Sequence, residues 1–196
     1  MTEYQWDKKL NIKTIGRDAS KEDVHHYPYE PTPYSVLERL AESGCLSSDD
    51  LVVDYGCGKG RVGLYLAHKI GCHTIGVEFD VGLYQQACEN AAKVGRECRS
   101  EFVCDNAEDY NVKDATAFYF FNPFSVEILQ VVLRNIMLSY YEEPRRIQLF
   151  FYYPNDEYVA HMMSEDAFLF VDEIDCKDLF PGKNERERIL VFEVFA

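Results

Sequence analysis

The sequence lacks a long apolar run. No uninterrupted stretch approaches the roughly 20 residues that cross a bilayer, so a membrane-spanning chain is not expected. It also lacks the marks of a leader. Met1-Thr2-Glu3-Tyr4-Gln5-Trp6-Asp7 has neither a basic start nor an apolar core, and a cytoplasmic location is the expectation. Positive charge is scarce: 20 Lys plus Arg stand against 34 Asp plus Glu, a net charge of −14. A surface that grips phosphates needs a positive field, so nucleic acid is disfavoured as a partner and a local basic patch is the one route left to it. Docking on anionic lipid is disfavoured for the same reason. The 7 cysteines are odd in number and never spaced C-x-x-C, which reads as reduced, mostly buried small apolar residues. His25-His26 is the only adjacent histidine pair, so no metal site is expected. No internal repeat, low-complexity run or linker is visible, and no obligate protein partner is implied.

What is present has the proportions of one layered domain: 196 residues, 47% apolar and 28% charged. The first 30 or so residues are polar and aromatic without a clear period. Tyr29-Glu30-Pro31-Thr32-Pro33-Tyr34 reads as a stiff extended segment, because each proline pushes its predecessor out of the helical region. The expected division is an N-terminal extension or lid over 1–35 and a domain over 36–196. Val36, Leu37, Leu40 and Ala41 have helical spacing up to Gly44. Strands are then expected at 51–55, 73–78, 101–105, 115–121 and 147–153, with two more at 168–174 and 189–195. Helices are expected from 62 to before Gly71, at 81–94 and at 126–140. This alternation means parallel β-α-β units in an α/β fold, with helices on both faces of one sheet. The strands are continuously apolar, as strands buried on both sides are.

The most informative stretch is Val53-Asp54-Tyr55-Gly56-Cys57-Gly58-Lys59-Gly60-Arg61, between the first strand and the next helix. Ligands of open α/β sheets bind at the carboxyl ends of strands, and glycines there let a ligand approach the backbone. Two cofactor classes compete. A dinucleotide site wants G-x-G-x-x-G directly after the strand. Counted from Gly56, Arg61 stands where the third glycine belongs. Counted from Gly58, the match with Gly60 and Gly63 starts too late and runs into the helix. Charge weighs further. A pyrophosphate is repelled by a carboxylate neighbour such as Asp54, whereas the ammonium and sulfonium of S-adenosylmethionine are attracted by one. Glu78 ends the second strand, where a carboxylate accepts from a ribose diol. Asp105-Asn106-Ala107 ends the third, where an adenine amino group would lie. Acids at three successive strand ends make one acidic rim. The alternative for any single one is a helix cap.

Asp54-Tyr55-Gly56-Cys57-Gly58-Lys59-Gly60 resembles the first motif of class I S-adenosylmethionine-dependent methyltransferases, and Gly76-Val77-Glu78 resembles their second. The resemblance covers about four-fifths of the chain. It implies a Rossmann-like, seven-stranded methyltransferase fold, mostly parallel, with the last strand inserted antiparallel. The chain is similar in particular to a group of bacterial methyltransferases with an upstream Pro-Thr segment, D-x-G-x-G-K-G-R and F-N-P-F, and more loosely to histone-lysine methyltransferases of the Dot1 type. The cofactor implied is S-adenosyl-L-methionine. The contacts expected for it are Asp54, Tyr55, Gly56, Gly58, Gly60, Glu78, Phe79, Asp105, Asn106 and Ala107, with Thr32 on its carboxylate.

Phe121-Asn122-Pro123-Phe124 ends the fourth strand beside the expected methyl group and resembles the N-P-P-aromatic loop of amino-methyltransferases, with one proline fewer. The resemblance implies catalytic roles for three residues. Asn122 and the Pro123 carbonyl would aim an amino group, and Phe124 would stack on a planar substrate. The structural alternative is a turn that caps the next helix. Methyl transfer needs orientation and exclusion of water more than a strong base. Where a base is needed, Tyr34, His25, His26 and Glu30 are the candidates. Tyr152-Tyr153-Pro154-Asn155 is placed to wall the acceptor pocket. Arg145-Arg146 and the Lys183, Arg186, Arg188 cluster read as solvated faces. The expected activity is methyl transfer to an amino group of an unidentified acceptor: a small molecule, a protein or RNA. The alternatives are an NAD(P)-binding oxidoreductase and a non-catalytic S-adenosylmethionine-binding protein.

Overall fold

Seven strands form one sheet: Leu51–Tyr55 (β1), His73–Glu78 (β2), Ser100–Cys104 (β3), Ala117–Phe120 (β4), Gln148–Tyr152 (β5), Phe168–Asp175 (β6) and Arg188–Val194 (β7). Their order across the sheet is β3-β2-β1-β4-β5-β7-β6. β1 to β5 pair in parallel, and β7 lies antiparallel between β5 and β6. This is the mostly parallel, Rossmann-like arrangement expected from the sequence. The computed structural model describes residues 1–17, 29–95, 98–112, 114–182 and 184–195. His25, His26 and Lys183 lie outside the described residues.

Successive strand residues point to opposite faces, and here both faces are covered. On β4, Phe118 and Phe120 enter one core while Tyr119 enters the other. On β5, Leu149 and Phe151 alternate in the same way with Phe150 and Tyr152. That double burial is why these strands read as unbroken apolar runs. α5 (Val126–Glu142) covers one face with Leu129, Val132, Leu133 and Ile136. α2 (Tyr34–Glu42) and α3 (Arg61–Ile70) cover the other, with Leu37, Leu40, Leu64 and Tyr65. α4 (Val81–Val94) connects β2 to β3, and Asp80 caps its N-terminus.

The aperiodic reading of the first 30 residues is corrected. Glu3–Leu10 is a helix, α1, opened by a capping box in which Thr2 and Gln5 bond each other's backbone N–H. With two turns and three buried positions, Trp6, Asp7 and Leu10, it is too short to show a period. Trp6 packs edge-on against Tyr65 at 4.9 Å and stacks near Tyr34 at 5.8 Å. The expected boundary between 35 and 36 falls inside α2, and Trp6, Leu10 and Ile12 share one core with α2, α3 and β1. A second short helix, α6 (Asp156–Ser164), follows the Asn155 cap, directly after the 152–155 stretch expected as a pocket wall and where no element was expected. Its sequence signal was an Asn cap followed by acids in the first turn.

Replacing Trp6 with Ala should therefore cost about 3–5 kcal/mol, the usual range for a buried aromatic. Urea unfolding measures it. A loss under about 1 kcal/mol would show that the segment before residue 36 is not part of the core.

Candidate functional site

β1 leads through α3 to β2 on one side, and the chain later returns to place β4 on the other. The carboxyl ends of β1 and β4 therefore flank a topological switch point, where open sheets part to admit a ligand. A cleft opens there. Asp54 to Cys57 line it after β1, Glu78 to Asp80 after β2, Asp105, Ala107 and Glu108 after β3, and Phe121 to Phe124 after β4. Tyr29 to Thr32 close it from the N-terminal side. Of the expected cofactor contacts, Asp54, Tyr55, Gly56, Glu78, Phe79, Asp105, Ala107 and Thr32 line this cleft. Gly58, Gly60 and Asn106 are not among its lining residues.

The glycine turn is shaped by what lies against it. Gly56 has φ +72, and a Cβ there would sit 2.5 Å from Cβ of Pro123. Gly58 has φ +55, and a Cβ there would strike the Tyr29 ring. The turn thus carries the β4 loop on one side and the N-terminal segment on the other. Glu78 holds it from below: Oε2 accepts from the Gly58 N–H at 2.8 Å and Oε1 from the Asp80 N–H at 3.0 Å. Burial pushes the Glu78 carboxyl above its usual range, and those N–H groups offset part of the rise. Asp54 has no such support at Oδ2. The residue is 3% exposed, and this oxygen has no hydrogen-bond partner. Burial, followed by the neighbouring Glu78 charge, holds its carboxyl well above the ordinary carboxylate range.

Arg61 was not singled out from the sequence. It is 3% exposed, opens α3 and lines the cleft. Nε donates to Thr14 Oγ1 at 2.7 Å, and Nη1 donates to the Thr32 carbonyl at 3.0 Å and to the Glu3 carboxylate. The guanidinium lies 4.3 Å over the Tyr34 ring. Asp7 completes the cluster, accepting from Thr14 Oγ1, the Thr14 N–H and Tyr34 Oη, each at 2.7 Å. Tyr29 Oη donates to the Thr14 carbonyl at 2.6 Å. Nη2 is the exception: it has no hydrogen-bond partner and is 3.9 Å from Asp7 Oδ1. The cleft is thus lined by a buried carboxyl and a buried guanidinium, each with one polar atom that has no hydrogen-bond partner among the described residues. The only sequence signal for Arg61 was its position directly after the last glycine of the turn.

The β4 loop departs from its expected geometry. Asn122 Nδ2 donates to the Tyr153 carbonyl at 2.8 Å, and Oδ1 accepts from the Asn155 N–H at 3.0 Å. The amide ties the β4 loop to the β5 loop. It is not the N-cap of α5 either, since Ser125 takes that position. Phe124 is 3% exposed, with its ring edge-on to Tyr55 and Phe120 in the core. Asn122 (φ 42) and Tyr153 (φ 48) are both left-handed, a state that costs a non-glycine residue about 1–3 kcal/mol. Thr32 Oγ1 is 3.1 Å from Tyr119 Oη and buried. Tyr34 is fully buried in the Asp7 cluster, where burial raises its phenol far above the usual range. Glu30 is exposed and lines the cleft. No group of three or more potential metal ligands occurs among the described residues.

Residues 52–139 match the methyltransferase domain family. A protein-lysine N-methyltransferase from Saccharolobus islandicus (strain REY15A) is 34% identical over 99 residues. That match spans 50% of this chain and 62% of the relative, so the chain aligns with under two-thirds of the relative's length. An RNA methyltransferase from Salinibacter ruber, solved with S-adenosyl-L-homocysteine, superposes with a TM-score of 0.57 at 19% identity, over 84% of this chain and 94% of that one. A TehB-like S-adenosylmethionine-dependent methyltransferase from Corynebacterium glutamicum superposes with a TM-score of 0.59 at 15% identity, over 98% and 96%. These likenesses establish the fold.

The Asp54 shift fixes a sign. At low pH the folded and unfolded chains both carry its proton. Above about pH 3.9 the unfolded chain releases it while the fold retains it, so this residue's contribution to stability falls as pH rises through its raised folded value. Asp54→Asn should raise the thermal midpoint at neutral pH, by about 2–4 °C for each kcal/mol relieved, and the gain should vanish in acid. Scanning calorimetry from pH 3 to 8, on the order of the ordinary carboxylate-to-neutral span, measures it. A midpoint lowered at every pH would show that Asp54 is satisfied in the fold.

Proposed function

We propose that this chain, which carries a methyltransferase domain of the class I S-adenosylmethionine-dependent superfamily, transfers a methyl group to an amino acceptor. One observation carries the reading: Asp54 Oδ2 and Arg61 Nη2 are buried and without a hydrogen-bond partner among the described residues, and their residues line one cleft. A buried polar atom without a partner is costly, so a ligand that satisfies both is strongly favoured. The amino-acid end of S-adenosylmethionine offers an ammonium, a sulfonium and a carboxylate, and so fits. A dinucleotide would bring its pyrophosphate to Asp54 and Glu78, and it does not fit.

When bound, S-adenosylmethionine would supply a methyl carbon on a sulfonium sulfur, and that sulfur would keep the electron pair of the broken C–S bond; the acceptor must present a neutral amine lone pair, so an ammonium acceptor first gives its proton to water. The residues of the chain do the rest by position. Asp54 answers the cationic groups and Arg61 the carboxylate. Glu78 keeps a lone pair on each oxygen for the ribose diol beyond its two backbone bonds. Asp105 and Ala107 stand at the adenine end, and Tyr55, Gly56 and Phe79 form the walls. Tyr29 to Thr32 act as a lid that keeps water out. Asn122, Pro123 and Phe124 shape the wall beside the reacting centre. An amino acceptor agrees with the name of the Saccharolobus relative and with the acid-rich cleft.

Titration calorimetry tests this with three probes. S-adenosylhomocysteine should bind, and 5′-methylthioadenosine, which lacks the amino-acid end, should bind about 100-fold more weakly, the value of two charge-assisted hydrogen bonds. NAD should give no heat. Asp54→Asn should weaken S-adenosylmethionine, which carries the sulfonium, more than S-adenosylhomocysteine. Equal affinity for S-adenosylhomocysteine and methylthioadenosine would remove Asp54 and Arg61 from the site.

A further inference from the structure

We infer, building on the methyltransferase reading, that a second cavity beside the first receives the side chain of a protein lysine. This cavity is open to solvent on one side. Glu30, Pro31, Phe121 and Asn122 line both cavities, so the two meet across that wall. Four aromatic residues line it, Phe121, Tyr152, Tyr153 and Phe180, and the first three cluster. Phe121 lies 4.8 Å from Tyr152 and 6.4 Å from Tyr153, and Tyr152 lies 6.1 Å from Tyr153. Two carboxylates accompany them, Glu30 at the junction with the first cavity and Glu187 on the far side. Tyr152 Oη donates to Glu187 Oε2 at 2.8 Å, which orients that carboxylate.

The one cation on this lining, Arg186, is already engaged. Its guanidinium lies 4.3 Å over the Tyr153 ring and donates to the carbonyls of Pro154 at 3.1 Å and Tyr153 at 3.2 Å. It secures the loop. Asn122 secures the same loop from the other side, through the Tyr153 carbonyl and the Asn155 N–H. Those bonds hold Tyr153 in its left-handed conformation with the ring partly exposed at the cavity wall. The loop geometry thus keeps the ring at the cavity.

Aromatic walls with carboxylates suit a cation on an apolar stem. The four methylenes of lysine match the rings, and its ammonium is attracted by the ring faces and by Glu187 and Glu30. Asp156 and Glu157, both exposed, follow Asn155 at this side, and Glu185 is exposed two residues before Glu187. With a net charge of −14, this surface favours a basic protein segment over a phosphodiester chain.

The test uses the full chain saturated with S-adenosylhomocysteine. N-acetyl-lysine methylamide and its uncharged norleucine counterpart are titrated while tyrosine ring signals are followed by NMR. The lysine compound should shift them with an affinity about 10-fold or more above norleucine, as a desolvated cation–π contact implies. In parallel, an unstructured lysine-rich peptide, free lysine and an RNA oligonucleotide are each offered labelled methyl donor. The peptide should gain methyl on the lysine ε-nitrogen, located by mass spectrometry. Tyr153→Leu and Glu187→Gln should each lower kcat/KM for the peptide by about 10-fold while leaving S-adenosylhomocysteine affinity within about twofold. Gln at 187 can still accept from Tyr152 Oη, so that variant separates loss of charge from misfolding. Equal affinity for lysine and norleucine, or methyl transfer only to free lysine or RNA, overturns the lysine site and leaves the cofactor reading standing. No binding of S-adenosylhomocysteine overturns both.

Discussion

A guanidinium buried to 3% exposure is tolerated only where other groups answer its charge, and Arg61 depends for that on residues far away in the chain. Glu3, Thr14 and Thr32 bond it, and the Tyr34 ring lies against it. Without the N-terminal segment, a charge would be left bare at the start of α3, directly after the glycine turn. The segment cannot be optional. It folds as part of the domain because the domain presents it with a buried charge, and α1 brings Asp7 and Glu3 to that place. Tyr29 then rests on Gly58, so the segment around Tyr29 and the turn pack together.

The same arrangement explains why the cleft carries unsatisfied atoms without collapse. Glu78 is bonded through both oxygens to backbone N–H groups, so its charge is largely spent on holding the turn. Asp54 Oδ2 accepts no hydrogen bond and Arg61 Nη2 donates none among the described residues. The fold therefore carries a desolvation cost at Asp54, whose buried carboxyl is held above the ordinary range.

How much of this was legible follows from the range of each signal. The strands and the long helices were read well because double burial writes continuous apolar runs and long amphipathic periods into the sequence. The glycine turn and the acids Asp54 and Glu78 were legible because they lie on consecutive strand ends, a local pattern. α1 escaped because two turns with three buried positions leave no period, although its capping box was visible. α6 escaped because its cap, Asn155, was read as the end of a pocket wall and residues 156–164 were assigned no element. Arg61 escaped for a deeper reason. Its partners lie 29 to 58 residues away in sequence, and nothing in the order of residues tells that Glu3 and Thr32 converge on it. Asn122 was noticed as a residue type, but its role depended on Tyr153 and Asn155, more than 30 residues later.

That last difference changes how the β4 loop must work. An asparagine that aims an acceptor needs its amide free. Here both ends of the amide are bonded to the next loop, and the backbone of Asn122 and of Tyr153 is held left-handed. On the proposed reading, the surface that this amide braces carries the selectivity, through the rings of Phe121, Tyr152 and Tyr153 and the carboxylate of Glu187. Rings select by shape and by the charge they face, not by a directed hydrogen bond. In the proposed lysine site, such a wall would suit a long apolar stem ending in a cation, whereas a flat base with a phosphate tail would find nothing there to offset the repulsion of the acids.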